Sequence, residues 1–239
     1  MSSQGSDKRR PGPLVVAIDG PAASGKGTLA RRVAQHFGLA YLDTGSLYRV
    51  TAFLVLAQSG DPAEPEIAAT AARQVPAALL HDPDLTRSPR LRNEAVSQAA
   101  SVVAAIPAVR RALLEFQREF AAHPPPPAPG QQPLGAVLDG RDIGTVVCPE
   151  AMVKLFVTAS LEERARRRAE ELRQSGVPAI YGNVLQDMKE RDARDSERRE
   201  APLAAAPDAL ILDTTKLDPD QVFGQAAERI TRVLARRDR

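Results

Sequence analysis

The segment Gly20-Pro-Ala-Ala-Ser-Gly25-Lys26-Gly27-Thr28 carries the most specific chemical signal in the sequence. It follows an apolar run, Leu14–Ile18, and precedes residues spaced as on a helix. Strand, glycine-containing turn and helix in that order make a phosphate cradle. Glycine lets the backbone approach phosphate oxygens, successive N–H groups point at them, and the helix start adds its dipole. Lys26 sets a cation against the phosphate that moves. Gly20, Pro21, Ala22, Ala23, Ser24, Gly25, Lys26, Gly27 and Thr28 are therefore candidates to bind a nucleoside triphosphate. Many such loops carry Ser or Thr directly after the lysine to hold magnesium. Here Gly27 stands in that place and Thr28 comes one step later. No direct protein–metal bond is expected; Thr28, and Asp139 after a second apolar run, are candidates to act on magnesium through water.

Moving a phosphoryl group between two phosphates needs placement and charge neutralisation more than covalent chemistry. Arginine suits that task through its planar, multidentate donors. Arg49 and Arg141 lie just past apolar runs that end in Asp43 and Asp139. A third segment, Lys189-Glu-Arg191-Asp-Ala-Arg194-Asp195-Ser-Glu-Arg198, is dense in both charges. Residues 161–200 hold ten basic and ten acidic side chains, so their ordinary reading is a solvated helical face. Pairs such as Glu163–Arg167 would each add about 0.3–0.5 kcal/mol there. Arg164 and Arg168, four apart on one face, are also candidates to reach over a bound triphosphate.

These groups must be positioned by the elements between them. Short apolar runs recur at Leu14–Ile18, Leu39–Leu42, Ala136–Leu138, Val153–Val157 and Ala209–Leu212, as expected of strands buried on both faces. Helical spacing links Leu29, Val33 and Phe37, with Gly38 placed to end that helix, and continues over 45–58, 91–122, 161–174, 184–195 and 218–236. The alternation predicts an α/β fold, a five-stranded parallel sheet flanked by helices. Ligands in such sheets bind beyond the carboxyl ends of the strands, where Asp19, Asp43 and Asp139 fall. Residues 1–13 read as a flexible tail and 123–134 as a proline-rich loop within a single domain over 14–239.

Composition narrows the partners. Lys plus Arg number 32 against 30 Asp plus Glu, a net charge of +2, which removes the case for a strongly basic nucleic-acid binder. One cysteine, Cys148, excludes an intrachain disulfide and multi-cysteine metal sites. His36, His81 and His123 are too scattered for a histidine metal site. No apolar run approaches the roughly 18 residues of a membrane span, and residues 1–13 lack the apolar core of a signal peptide. The expectation is a cytoplasmic monomer acting on small molecules, with no nucleic-acid polymer and no membrane as partner.

The motifs taken together are more specific than the phosphate loop alone. Leu42-Asp43-Thr-Gly-Ser-Leu-Tyr48-Arg49, Gln98-Ala-Ala-Ser101 through Arg110, Leu138-Asp139-Gly-Arg141-Asp142-Ile-Gly-Thr-Val-Val147 and Lys189 through Arg198 follow the Gly-Lys-Gly-Thr loop in order. From about residue 14 to the end the chain resembles the bacterial cytidylate kinases, a family of nucleoside-monophosphate kinases. The resemblance implies a three-layer fold of the P-loop NTPase type, an acceptor-binding region at about 44–122 and a lid at about 161–200. It implies transfer of the γ-phosphoryl group of ATP, with Mg²⁺, to CMP or dCMP. Lys26, Arg141 and Arg198 would be catalytic. Arg49, Arg141 and Arg198 would hold the acceptor phosphate, with Tyr48 hydrogen-bonding it and Asp43 steadying the second loop. Arg191 and Asp195 would take the sugar; Ser101, Arg110 and Asp142 the base; Arg164 and Arg168 would belong to the lid over ATP.

The chain departs from the family's pattern where a small antiparallel sheet is usual. Residues 61–90 contain Pro62, Pro65, Pro76, Pro83 and Pro89 and little alternation, so that sheet is expected to be shortened or absent. Two other readings compete. Within kinases, the alternative is another small-molecule kinase of this phosphate-loop kind, with UMP or AMP as acceptor. A non-catalytic nucleotide-binding switch is disfavoured by the lack of an Asn-Lys-x-Asp guanine motif and by the presence of Lys26, Arg141 and Arg198.

Overall fold

The computed structural model describes residues 12–126 and 133–237. Most of the expected tail, and the centre of the proline-rich loop, lie outside the described residues. Five strands form one parallel sheet: β1 (Leu14–Asp19), β2 (Ala40–Asp43), β3 (Gly135–Gly140), β4 (Val153–Thr158) and β5 (Leu210–Asp213), ordered β2-β3-β1-β4-β5. Each predicted apolar run is one of these strands. Their lack of polar alternation has a direct cause: both faces of the sheet are covered. Ala17, Ala136 and Leu138 face one core, while Val16, Ile18, Val137, Leu155 and Val157 face the other.

The second of those cores is closed by α1 (Lys26–Phe37) and α8 (Pro219–Arg237), through Leu29, Val33, Val222, Ala226 and Ile230. Gly38 ends α1 in the left-handed conformation, as its position suggested, and its N–H donates to the carbonyl of Ala34. The first core is closed by α2 (Thr44–Ala57), α3 (Pro65–His81), α4 (Glu94–Val103) and α5 (Pro107–Ala122). Asp43 caps α2, accepting from the N–H of Ser46 at 3.3 Å.

Two expectations need correction. The helical stretch predicted over 91–122 is two helices, α4 and α5. Pro107 lacks an N–H and forces Ile106 into extended backbone (ψ 118°), so the chain leaves one helix and begins another. Residues 61–90 hold no strand, in line with a sheet shortened or absent, but they contain a 17-residue helix, α3, that the predicted helical stretches did not include. Pro65 starts that helix favourably at its first turn, while Pro76 sits inside it. Buried Ala68, Ala69, Ala71, Ala72 and Val75 supply the apolar contact that outweighs the interior proline.

A further pair, α6 (Leu161–Gln174) and α7 (Tyr181–Ser196), has its own small core of Ala165, Ala169, Val184 and Met188. That core packs on Ala22 and Ala23 between β1 and α1. Among the described residues, no helix is long and apolar enough to cross a membrane.

Candidate active site

The turn from β1 into α1 is built for close backbone approach. Gly20 (φ +150°) passes so near β4 that a Cβ would lie 2.0 Å from the carbonyl oxygen of Val157. Ala23 (φ +57°) and Gly25 (φ +90°) also take positive φ, which folds the loop back over the start of α1. Lys26 is the first residue of the helix. Its Nζ donates to the carbonyl of Pro21 at 3.4 Å and lies 4.0 Å from Oδ1 of Asp139 at the carboxyl edge of β3. At Gly27 a Cβ would lie 3.1 Å from Oδ2 of Asp139, so any side chain there would need the carboxylate to give by a few tenths of an ångström.

Around this loop the structure gathers most of the predicted arginines. Arg141 donates through Nε to Oδ2 of Asp195 at 3.0 Å and through Nη1 to the carbonyl of Gly140 at 3.2 Å. Arg198 pairs with the other oxygen of the same carboxylate. Burial works against ionisation of Asp195, but Arg141, Arg198 and Arg191 outweigh it and hold the carboxyl below its usual range. The remaining charge is positive. Desolvation, with Arg141 next, pushes Lys26 down to about 8; desolvation, again with Arg141 next, pushes Arg191 down to about 10. Arg49 and Arg168 also repel the charge on Arg191. Arg49 lies 3.9 Å from Asp43, half-exposed.

Two of the predicted base-reading residues are brought together, Arg110 from α5 and Asp142 just past β3. Arg110, on α5, donates to Oδ2 of Asp142 at 2.5 Å and to the carbonyl of Ala104, just past α4, at 3.2 Å. Both side chains are under 10 % exposed. Ser101, on α4, is buried and its Oγ has no hydrogen-bond partner. Tyr48 presents its ring to the Arg110 guanidinium at 5.6 Å. A cavity of about 160 Å³ opens beside Tyr48, Arg110 and Asp142.

The family model described as cytidylate kinase matches residues 16–232. A relative from Paramagnetospirillum magneticum, named cytidylate kinase, is 58 % identical over 213 residues, 89 % of this chain and 95 % of its own length. One from Rhodospirillum rubrum with the same name is 54 % identical over 90 % of this chain and 96 % of its own. The chain belongs to the cytidylate kinase family. Among solved structures, an uncharacterized protein from Eubacterium ventriosum is 13 % identical with a TM-score of 0.50, covering 91 % of this chain and 98 % of that one; the likeness is one of fold.

As a member of the cytidylate kinases the chain is a kinase, and the site fits the magnesium that such enzymes use with a triphosphate. Oδ1 of Asp139 and Oγ of Ser24 are buried without a hydrogen-bond partner. Burial raises the Asp139 carboxyl, with Lys26 opposing, so a second cation beside it would be favourable. Among the described residues no group of three or more ligating side chains exists, so phosphate and water oxygens would complete the shell, as Mg²⁺ prefers. Thr28 is exposed.

Around this kinase site the sequence reading gave no role to Tyr41, Asp192 or Thr214, and it placed Arg164 and Arg168 only as lid arginines. Arg164, on α6, is buried rather than free. It grips Asp192 of α7 with two hydrogen bonds (3.1 and 2.6 Å) and donates to the carbonyls of Ala159 and Ala22. Arg168 pairs with Glu171 at 2.9 Å. Arg167, between them, donates to the hydroxyl and carbonyl oxygens of Thr214, whose hydroxyl donates to the carbonyl of Ser24 in the phosphate loop. Tyr41 donates to Asp139 at 3.5 Å. Asp192 and Thr214 have no spacing signal, because their partners come from other elements. Cys148, pushed up to about 11 mainly by burial, is a poor nucleophile. His36 packs against Phe37 and Phe223, and His123 pairs with Glu119.

Proposed function

We propose that this kinase transfers the γ-phosphoryl group of ATP to CMP, and to dCMP, giving ADP and CDP or dCDP. The observation that carries the reading is the excess of desolvated cations where the phosphate loop meets the ends of β2 and β3. Lys26 and Arg191 are both driven toward neutrality there by desolvation and by Arg141. Such a site is stabilised by anions, and three phosphates brought together supply them.

The residues divide the task by position. Residues 20–28 and Lys26 hold the β and γ phosphates of ATP. Arg49, Arg141 and Arg198 hold the acceptor phosphate, with Tyr48 beside it. Its ionised oxygen attacks the γ phosphorus while the bond to the β–γ bridging oxygen breaks, and the electron pair leaves with ADP. Asp139, with Ser24 and Thr28 nearby in sequence to the cradle, would hold hydrated magnesium, which when bound neutralises charge on the β and γ phosphates. Arg191 and Asp195 face the sugar. The α6–α7 pair acts as the lid that excludes water, so that ATP is not hydrolysed. In this reading Arg164 holds the lid to the phosphate loop, and Arg168 is the lid arginine left to meet ATP.

The paired Arg110 and Asp142 account for the base. Side by side they offer a donor and an acceptor. Cytosine matches them with an unprotonated N3 and a 4-amino group. Uracil reverses both positions, so its O4 would face a carboxylate and its N3–H a guanidinium. Each unmatched buried group costs about 1–3 kcal/mol, more when charged. Steady-state kinetics of Asp142→Ala test this. The variant should lose most of its CMP efficiency and much less of its UMP efficiency, narrowing the ratio by about 10-fold or more. A ratio equal to that of the parent would show that Asp142 does not read the base.

A further inference from the structure

The turn that carries Arg141 and Asp142 is fastened to the sheet by a residue with no task so far. Asp19 ends β1, directly opposite Gly140 of β3. Its side chain is buried, and its two oxygens do separate work. Oδ1 accepts the N–H of Ile143 at 2.7 Å and Oδ2 accepts the N–H of Gly144 at 2.8 Å. Those amides open a single π-helical turn, Ile143–Val147, whose first N–H groups have no partner within the turn. The far half of the turn is held independently, by Arg118 donating to the carbonyls of Val146 and Val147. Asp19 therefore governs the end next to Arg141 and Asp142.

The fit leaves little freedom. A Cβ on Gly144 would meet the Lys154 side chain at 3.2 Å and Oδ2 of Asp19 at 3.4 Å. Lys154 itself turns its ammonium away, to Asp208 at 3.0 Å. Only a carboxylate of this length presents two acceptors to two adjacent peptides; asparagine presents one acceptor and a donor. Burial, with the nearby Asp142 and Asp139 charges, leaves Asp19 raised to about 7 even though the two backbone donors pull it down, so the two bonds offset only part of the cost of burying the carboxylate.

We propose that Asp19 is a positioning residue for acceptor recognition: by holding the Ile143 and Gly144 peptides it fixes the aim of Arg141 and Asp142, the two residues just before them. The inference rests on the acceptor roles given to those two residues above. It differs from a purely structural role because the phosphate loop, which follows Asp19 directly, should keep its own geometry when only the two hydrogen bonds change.

The test is Asp19→Asn in the full chain, with steady-state constants for ATP, CMP and UMP, ATP affinity by calorimetry and the melting temperature. One acceptor becomes a donor facing an N–H, and the turn should shift. The CMP KM should rise on the order of 10-fold or more, since a misplacement of about 1 Å can cost ~100-fold. The CMP-to-UMP preference should narrow, and ATP affinity should stay within about 2-fold. A folded variant with parental CMP constants and preference would overturn the proposal. So would a variant that loses ATP affinity as much as CMP affinity. If the asparagine variant does not fold, Asp19→Glu, which keeps both acceptors but displaces them by one methylene, takes the same measurements and the same two overturning outcomes. If the parent itself favours another acceptor, the reading of the substrate fails instead. The proposal then stands or falls on that acceptor's KM.

Discussion

Lys26 meets two opposing demands. Without nucleotide its charge is desolvated and lies near Arg141, which together push it from an ordinary 10.5 to about 8. With a triphosphate in the loop, the phosphate charges favour the ammonium. The sign follows for both states. A lysine depressed on folding adds stability that is present above 10.5 and lost as pH falls through about 8. Nucleotide binding should therefore take up protons between those values. Calorimetry of ATP binding at pH 8.5, in two buffers of different ionisation heat, should give different apparent enthalpies. That difference should shrink in Lys26→Ala, which should also lose about 100-fold or more in turnover while staying folded. Equal heats in both buffers for the parent would contradict the depressed lysine. At this scale the sequence was legible where a residue's place follows from a strand end, as for Lys26 after β1 and Arg141 and Asp142 after β3; their partners Asp139, Asp195 and Arg110 come from other elements. Asp19 was visible only as an acidic strand end. Its partners, Ile143 and Gly144, come from another element, and no spacing joins them.

The elements show where local pattern suffices and where packing overrides it. The five apolar runs were readable because a strand buried on both faces has no polar position to disguise it. Pro107 was readable in principle as a break in the 91–122 stretch, since it disfavours helix for the residue before it. The helix α3 was not, because its prolines argue against helix while its alanines carry only a weak apolar signal. In sequence the α6–α7 region reads as a solvated charged face and, by resemblance, as a lid offering Arg164 and Arg168 to ATP. Arg164 instead anchors it, bonding Asp192 and the carbonyl of Ala22. Removing that side chain leaves Asp192 and two carbonyls without a donor, at roughly 1–3 kcal/mol. Arg164→Ala should thus speed amide exchange in Leu161–Gln174 and Tyr181–Ser196, with the amides of β1, β3 and β4 unchanged. Uniform acceleration across the sheet would show that the pair is not a separately opening unit.

At the scale of the whole molecule, the strand order places the phosphate loop after the central strand, between β3 and β4. The ends of β2 and β3 then bring Asp43, Asp139, Arg141 and Asp142 to one edge. That convergence explains why residues far apart in the chain form one cation-rich centre, and why composition, with a net charge of only +2, gave no hint of it. The charge is local, and the surface balances it. The strand order itself was not legible in the runs, since any of the five could neighbour any other by composition alone. The central claim, that this edge receives ATP and a cytidine monophosphate, is tested most directly by release of ADP from Mg²⁺-ATP across CMP, dCMP, UMP, AMP and shikimate. The account predicts the highest kcat/KM with CMP, use of dCMP, and values for UMP at least about 100-fold lower, with AMP and shikimate near background. Highest efficiency with UMP or AMP, or no ADP release with any of the five, would contradict it.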